Sequence, residues 1–246
     1  MYKLGVIGGM GPLATVKFYD KIVLNTEAHN DNEHIDLIVL NHSTMPDRTK
    51  CIIENKDTEF LNEIKKDLEI LERIGIDVVA IPCNTSHYFY DEFKNFTNLK
   101  IINMIEETIL EIKRRGIKKV AVFGTLGTLN SKVYNKYAKE NGIEVKELSL
   151  EDKKTVMDII YKIKETNNLE SKDFVEILNR YCNDKTIGII ACTELSLLDI
   201  PENLNTIDAL DVLVNKSIEY SGAKIKNKYK KSDLNLVSSP IFIMLL

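Results

Sequence analysis

Short apolar runs alternate with longer stretches in which apolar residues return every three or four positions, and this alternation continues through most of the chain. The apolar runs at 4–7, 35–40 and 78–81 suit strands covered on both faces. Between them, residues 15–28 place Val16, Tyr19, Ile22 and Val23 at helical spacing. Residues 59–74 do the same with Leu61, Ile64, Leu68 and Leu71, and Gly75 is suited to end that helix. A further helix is expected over 86–93. The plan then repeats. Helices are expected at 105–115, stopped by Gly116, and at 131–141, closed by Gly142. Strands are expected at 119–123, 144–148 and 187–191, with two helices at 155–165 and 171–179 before the last of these. A short strand near Thr206-Ile207 and a helix over 209–221 complete the pattern, which predicts an α/β protein with largely parallel sheets.

The two halves share more than rhythm. Val6-Ile7-Gly8-Gly9-Met10-Gly11 resembles Val122-Phe123-Gly124-Thr125-Leu126-Gly127, and each half later carries a strand that runs out into a cysteine: Cys83 and Cys192. Two copies of one unit would face each other about a pseudo-twofold axis. Ligands of α/β sheets bind beyond the carboxyl ends of the strands, so both glycine turns and both cysteines are expected to meet in one interdomain cleft.

Composition narrows the function. A chain of 246 residues, 44% hydrophobic and 28% charged, is an ordinary globular protein. A net charge of −4 argues against a nucleic-acid partner. The four cysteines, Cys51, Cys83, Cys182 and Cys192, form no C-x-x-C pair, and His29, His34 and His42 show no ligand spacing. No metal site is expected, and the thiols read as reduced and cytoplasmic. Met1-Tyr2-Lys3 leads straight into a strand without a targeting segment, and the apolar run 241–246 is far too short to span a bilayer. That run reads as a strand or tail packed on the body or on a partner subunit.

The candidate chemistry lies at the turns. Gly8-Gly9-Met10-Gly11-Pro12 is not a P-loop, since no Gly-Lys-Ser/Thr follows. Gly9-x-Gly11-x-x-Ala14 fits a relaxed dinucleotide fingerprint, but the second strand ends in Asn41-His42 rather than in an acidic residue. The turn reads instead as close backbone approach to a small anion at a helix N-terminus. Arg48, in Pro46-Asp47-Arg48-Thr49, is a loop arginine able to grip a carboxylate through paired hydrogen bonds, with Asp47 beside it for an ammonium group. Cys83 precedes a helical turn whose amides and dipole favour a thiolate, and Cys192 is followed by Thr193 and Glu194. A free cysteine is ordinarily a buried structural thiol, the reading given to Cys51 and Cys182. The matched strand-end placement separates Cys83 and Cys192 from that pattern. His87, four residues after Cys83, allows a second reading as a Cys-His nucleophilic pair.

Taken together, the Gly8–Pro12 turn with Thr15 and Tyr19, Pro46-Asp47-Arg48-Thr49, Pro82-Cys83-Asn84-Thr85 with His87, Gly124-Thr125-Leu126-Gly127-Thr128 and Ala191-Cys192-Thr193-Glu194 resemble the aspartate/glutamate racemase family over roughly residues 1–220. The resemblance implies two similar α/β domains, one from 1–100 plus about 205–222 and one from 101–204, with 223–246 as an extension of no assigned role. It implies inversion at the α-carbon of an acidic amino acid by Cys83 and Cys192, with no cofactor. Arg48 and Lys164 would bind carboxylate, and Asn84 with Thr85 would hold the α-carboxylate. Met10, Gly11, Thr125, Thr193 and Glu194 complete the expected substrate contacts. A homodimer is the implied assembly. Alternatives are an isomerase of another small acid, such as maleate or a hydantoin, a cysteine hydrolase using Cys83 and His87, and an amino-acid sensor.

Overall fold

The computed structural model describes residues 1–226. The part of the expected extension at 227–246, with the apolar run 241–246, lies outside the described residues. The first unit runs β1 (Leu4–Gly8), α1 (Pro12–Asn25), β2 (Leu37–Asn41), α2 (Arg48–Glu54), α3 (Thr58–Arg73), β3 (Val78–Ala80), α4 (Tyr90–Phe96) and β4 (Lys100–Ile101). The second runs α5 (Met104–Arg114), β5 (Lys119–Gly124), α6 (Leu126–Asn130), α7 (Val133–Glu140), β6 (Glu144–Lys146), α8 (Leu150–Thr166), α9 (Lys172–Tyr181), β7 (Ile187–Ala191), β8 (Thr206–Asp208) and α10 (Ala209–Tyr220). The strands form two four-stranded parallel sheets, ordered β2-β1-β3-β4 and β6-β5-β7-β8. The second order is the first with each strand replaced by its counterpart, as the internal repeat implied.

The central strands are apolar throughout because helices cover both faces of each sheet. Ile7, Val79 and Ile81 pack with Phe60, Ile64, Leu68 and Leu71 of α3. The alternate residues Leu4, Val6, Val78 and Ala80 turn to Phe18 and Ile22 of α1 and to Leu210, Leu213 and Val214 of α10. In the second unit, Val120, Val122, Ile187 and Ile189 meet α5 and α7, whereas Ala121, Phe123 and Ile190 meet α8 and α9. The period of two along each strand therefore sorts four apolar clusters. β8 completes the second sheet, and Asp208 then caps α10 by accepting a hydrogen bond from the Leu210 amide. Ala209, Leu210, Leu213 and Val214 then join the apolar cluster of the first sheet.

Three local differences from the expected elements bear on the cleft. Residues 48–54 form a helix rather than a loop, capped by the Asp47 carboxylate on the Lys50 amide. The helix expected over 131–141 is α7, but a short helix not expected from the sequence, α6, precedes it, and the two are parted at Lys132, which sits at φ 54 in the left-handed region. The helix expected at 86–93 is a 3₁₀ turn, Thr85–Phe89, leading into α4.

The first glycine turn needs its glycines. Gly9 has φ 86, and a Cβ there would lie 2.5 Å from the carbonyl carbon of His42. Left-handed strain of about 1–2 kcal/mol adds to overpacking of about 1–3 kcal/mol. Gly9→Ala is therefore expected to lower stability by about 3 kcal/mol, read as a lower urea midpoint at unchanged slope.

Candidate functional site

Both sheets end at one cleft. Cys83 follows β3 after Ile81-Pro82, and Cys192 follows β7 directly. The two thiols line the same small pocket. Met10, Arg48, Asn84, Thr85, Thr125, Lys164, Thr193 and Glu194 line it as well, and Asp47 and Thr49 complete the wall. Gly11 stands just outside, in a wider depression of about 1060 Å³ that shares Met10, Asp47, Arg48, Lys164 and Glu194 with the inner space. A Cβ on Gly11 would lie 3.0 Å from Glu194 Oε1. Its counterpart Gly127 is approached as tightly, by Thr85 Cγ2 at 2.9 Å and Thr49 Cα at 3.1 Å. The two domains thus close on each other through a glycine from each half.

The surroundings of the two sulfurs differ in sign. Arg48, buried at the start of α2, donates from Nη1 to the carbonyls of Met45 (3.4 Å) and Pro46 (3.0 Å), and from Nη2 to that of Met10 (3.3 Å). Among the described residues it makes no ion pair with a carboxylate. Burial works against its charge, but the Cys83 sulfur, Asp47 and Glu194 outweigh burial and raise its pKa. A permanent cation therefore faces Cys83.

Cys192 has the opposite neighbour. Its Sγ donates to Glu194 Oε2 at 2.9 Å. Burial and the Glu194 charge push its thiol well above the usual range, and Lys164 only partly offsets them. Lys164 Nζ lies 3.8 Å from Glu194 Oε1. Burial disfavours the ammonium, yet Glu194 and Cys192 more than compensate, so the lysine stays charged. Removing the carboxylate should release the thiol. In Glu194→Gln, Cys192 is expected to titrate at lower pH than in the parent, read as the pH dependence of its alkylation by iodoacetamide in peptide mass spectra.

Other members of the site hold each other. The hydroxyls of Thr85 and Thr125 lie 2.9 Å apart, and Thr128 lies 3.2 Å from each, a triangle bridging the domains. The Tyr161 hydroxyl donates to Asp47 Oδ2 at 3.4 Å, and the Lys164 ammonium sits 5.4 Å over the Tyr161 ring. Tyr134 donates to Asn84 Oδ1 at 2.6 Å. Tyr134 and Tyr161 had no role in the sequence reading, and Thr49 and Thr128 entered it only as members of quoted motifs; of the two tyrosines, Tyr161 carried a local signal, lying one helical turn before Lys164. His87 does not face the Cys83 sulfur. Its Nδ1 lies 2.8 Å from the Cys83 carbonyl and its Nε2 3.3 Å from that of Ile102, and burial pulls its pKa down. The Cys-His hydrolase alternative therefore has no base beside its nucleophile.

Among the described residues, four buried side-chain polar atoms lack a hydrogen-bond partner within the chain. Three of them belong to cavity residues: Arg48 Nε, Asn84 Nδ2 and Glu194 Oε1. Leaving such an atom unsatisfied costs about 1–3 kcal/mol, so their concentration here marks a place built for a polar guest. Two donors and one anionic acceptor complement a molecule that carries both carboxylate and ammonium.

A family model described as Asp/Glu/Hydantoin racemase matches residues 7–216. The chain is 30% identical over 225 residues to a broad specificity amino-acid racemase of Bacillus subtilis (strain 168), covering 87% of this chain and 96% of that protein. Its structure is similar to that of an aspartate racemase of Picrophilus torridus, with TM-score 0.83 and 31% identity over 92% of this chain and 96% of that one. It is also similar to an aspartate racemase homologue of Pyrococcus horikoshii OT3, with TM-score 0.74, 26% identity, and coverage of 90% and 100%.

Proposed function

We propose that this chain, which belongs to the Asp/Glu/hydantoin racemase family, is an amino-acid racemase that inverts the α-carbon of aspartate, glutamate or both with two thiols and no cofactor. The observation that carries the reading is the pair of buried cysteines on one cavity with partners of opposite charge. A reaction that removes a proton from one face and returns it to the other needs one base and one acid at rest. In this reading Cys83, beside the Arg48 guanidinium, serves as the base, and Cys192, whose thiol burial and the Glu194 carboxylate keep protonated, serves as the acid.

In one direction, the Cys83 thiolate takes the α-proton while the C–H electron pair moves onto the α-carbon and its carboxylate. The Cys192 thiol then delivers its own proton to the opposite face and becomes the thiolate. In the other direction the roles exchange. Two thiolates in one closed cavity repel each other, so the pair titrates as a unit and one proton is shared across the site. The difficult part is the weak acidity of the carbon. Donors fixed where charge grows, here Asn84 Nδ2 and the free edge of Arg48, lower that barrier, and losing one such donor typically costs about 10²–10³ in rate. Lys164 and Arg48 suit a side-chain carboxylate, and Glu194 Oε1 suits the ammonium.

The test is a panel of L- and D-amino acids, with maleate and hydantoin as controls, followed in deuterated water by NMR. Loss of the α-proton signal from aspartate or glutamate, with appearance of the other enantiomer, is expected. Tight binding with no solvent exchange for any member would make the protein a sensor and end the racemase reading. Because base and acid both come from the chain, hydroxylamine, which captures pyridoxal phosphate, is expected to leave turnover unchanged.

A further inference from the structure

We infer that Tyr134 is a positioning residue that decides which edge of Asn84 meets the substrate; the inference rests on the racemase reading of this site. Asn84 sits directly after Cys83 in the first domain, and Tyr134 lies in the first turn of α7 in the second. Both side chains are buried, with Tyr134 1% and Asn84 2% exposed. A primary amide presents an acceptor on one edge and a donor on the other, and the two are nearly isosteric. Left alone, Asn84 would turn either edge to the cavity. The Tyr134 hydroxyl donates to Oδ1 at 2.6 Å, which occupies the acceptor edge and leaves Nδ2 without a partner within the chain. An N–H donor is the edge that recognises a carboxylate; the carbonyl edge would recognise an ammonium and repel the anion. The phenol is thus one bond removed from the substrate and controls the sign of the contact.

The fold places this hydroxyl by an unusual local feature. The short helices α6 and α7 are parted at Lys132, whose left-handed φ of 54 disfavours a non-glycine residue. α7 starts at Val133, and Tyr134 in its first turn reaches Asn84 of the first domain. The same tyrosine packs in the second domain's apolar cluster with Ile105, Ile109 and Ala138. Its ring is therefore held independently of the hydroxyl, so the hydroxyl can be removed with little change in packing. Burial also raises the phenol's pKa, keeping it a neutral donor.

Tyr134→Phe and Asn84→Asp in the full chain separate this role from a merely structural one. Tyr134→Phe is expected to raise KM for L-aspartate about tenfold and to lower kcat as well, since the edge it frees also meets the charge that grows on the α-carboxylate, with little change in melting temperature. Asn84→Asp keeps an acceptor for Tyr134 but turns a second carboxylate oxygen to the cavity. Its affinity for L-aspartate by calorimetry is expected to fall about 100-fold or more, as like charges are brought together. A lower melting temperature in Tyr134→Phe with KM unchanged would overturn the inference. So would an Asn84→Asp protein that binds L-aspartate as the parent does, since the acceptor edge would then already face the ligand. A third readout needs no turnover. The Asn84 side-chain amide signals in ¹⁵N spectra, assigned by their loss in Asn84→Ala, are expected to shift in Tyr134→Phe; unmoved signals would sink the tether. A parent enzyme that fails to racemise any amino acid defeats the proposed function and leaves the amide signals as the measure of this inference.

Discussion

Serine at either Cys83 or Cys192 is expected to lower racemisation by about 10³-fold or more, because each thiol is one half of a proton relay and general acid-base groups contribute about 10²–10⁴ each. The two variants are expected to differ in what survives. Cys192→Ser keeps the Cys83 sulfur beside Arg48, the base of the proposed relay. It should still wash deuterium into the one enantiomer whose α-proton points at Cys83, without forming the other. Cys83→Ser keeps only the Cys192 thiol, hydrogen-bonded to a carboxylate and pushed well above its usual range. That variant should exchange slowly with either enantiomer near neutral pH, and its exchange should rise as the pH approaches the raised titration of Cys192. Equal exchange in the two single variants would remove the electrostatic asymmetry. A Cys83→Ser/Cys192→Ser protein that still racemised would remove the thiols from the mechanism.

The asymmetry could not have been read along the chain. Cys83 and Cys192 were visible because a strand covered on both faces is an apolar run, and whatever follows its carboxyl end is exposed to a ligand. Their charge partners were less visible. Glu194, two residues from Cys192, was close enough to suggest itself. Arg48 reaches Cys83 only through folding, and it does so from the first turn of a helix that the Pro46-Asp47 signal made look like a loop. The Asp47 carboxylate on the Lys50 amide is the reason a helix starts there. His87 shows the reverse error. Its spacing from Cys83 suggested reach to the sulfur, but the 3₁₀ turn aims the ring at two backbone carbonyls instead.

The repeat was legible for a related reason. The glycine turns at Gly8–Gly11 and Gly124–Gly127 are dictated by close backbone approach, which few residue types tolerate, so the chain advertises them twice. Contacts made by ordinary residues across the domain boundary leave no such trace. Tyr134 meets Asn84, and Thr85 meets Thr125 and Thr128, without any spacing that joins them. The left-handed residue between α6 and α7 is Lys132, not a glycine that would announce the turn in the sequence.

Arg48 links these halves of the site, and its replacement is expected to have the second large effect. Arg48→Met preserves most of the buried stem and removes the charge. Three backbone carbonyls, those of Met10, Met45 and Pro46, then lose their donor. Hydrogen bonds from charged groups contribute about 1.5–3 kcal/mol each, so a clear drop in melting temperature is expected. The functional loss should be larger than stability alone explains. The Cys83 sulfur loses the cation beside it, so its alkylation at neutral pH should slow. The substrate loses a donor edge, since Arg48 Nε and its remaining Nη2 hydrogen are the groups not committed to the backbone. Together these should lower kcat/KM for aspartate by about 10²–10³. Arg48→Lys separates the contributions. A lysine keeps the positive charge near Cys83, but its ammonium cannot hold the Met10, Met45 and Pro46 carbonyls and a carboxylate in one plane. Thiol alkylation should therefore recover in Arg48→Lys while KM for aspartate stays high. If KM recovered as fully as the thiol, Arg48 would act on the cysteine alone, and Lys164 would be left as the side-chain carboxylate's partner.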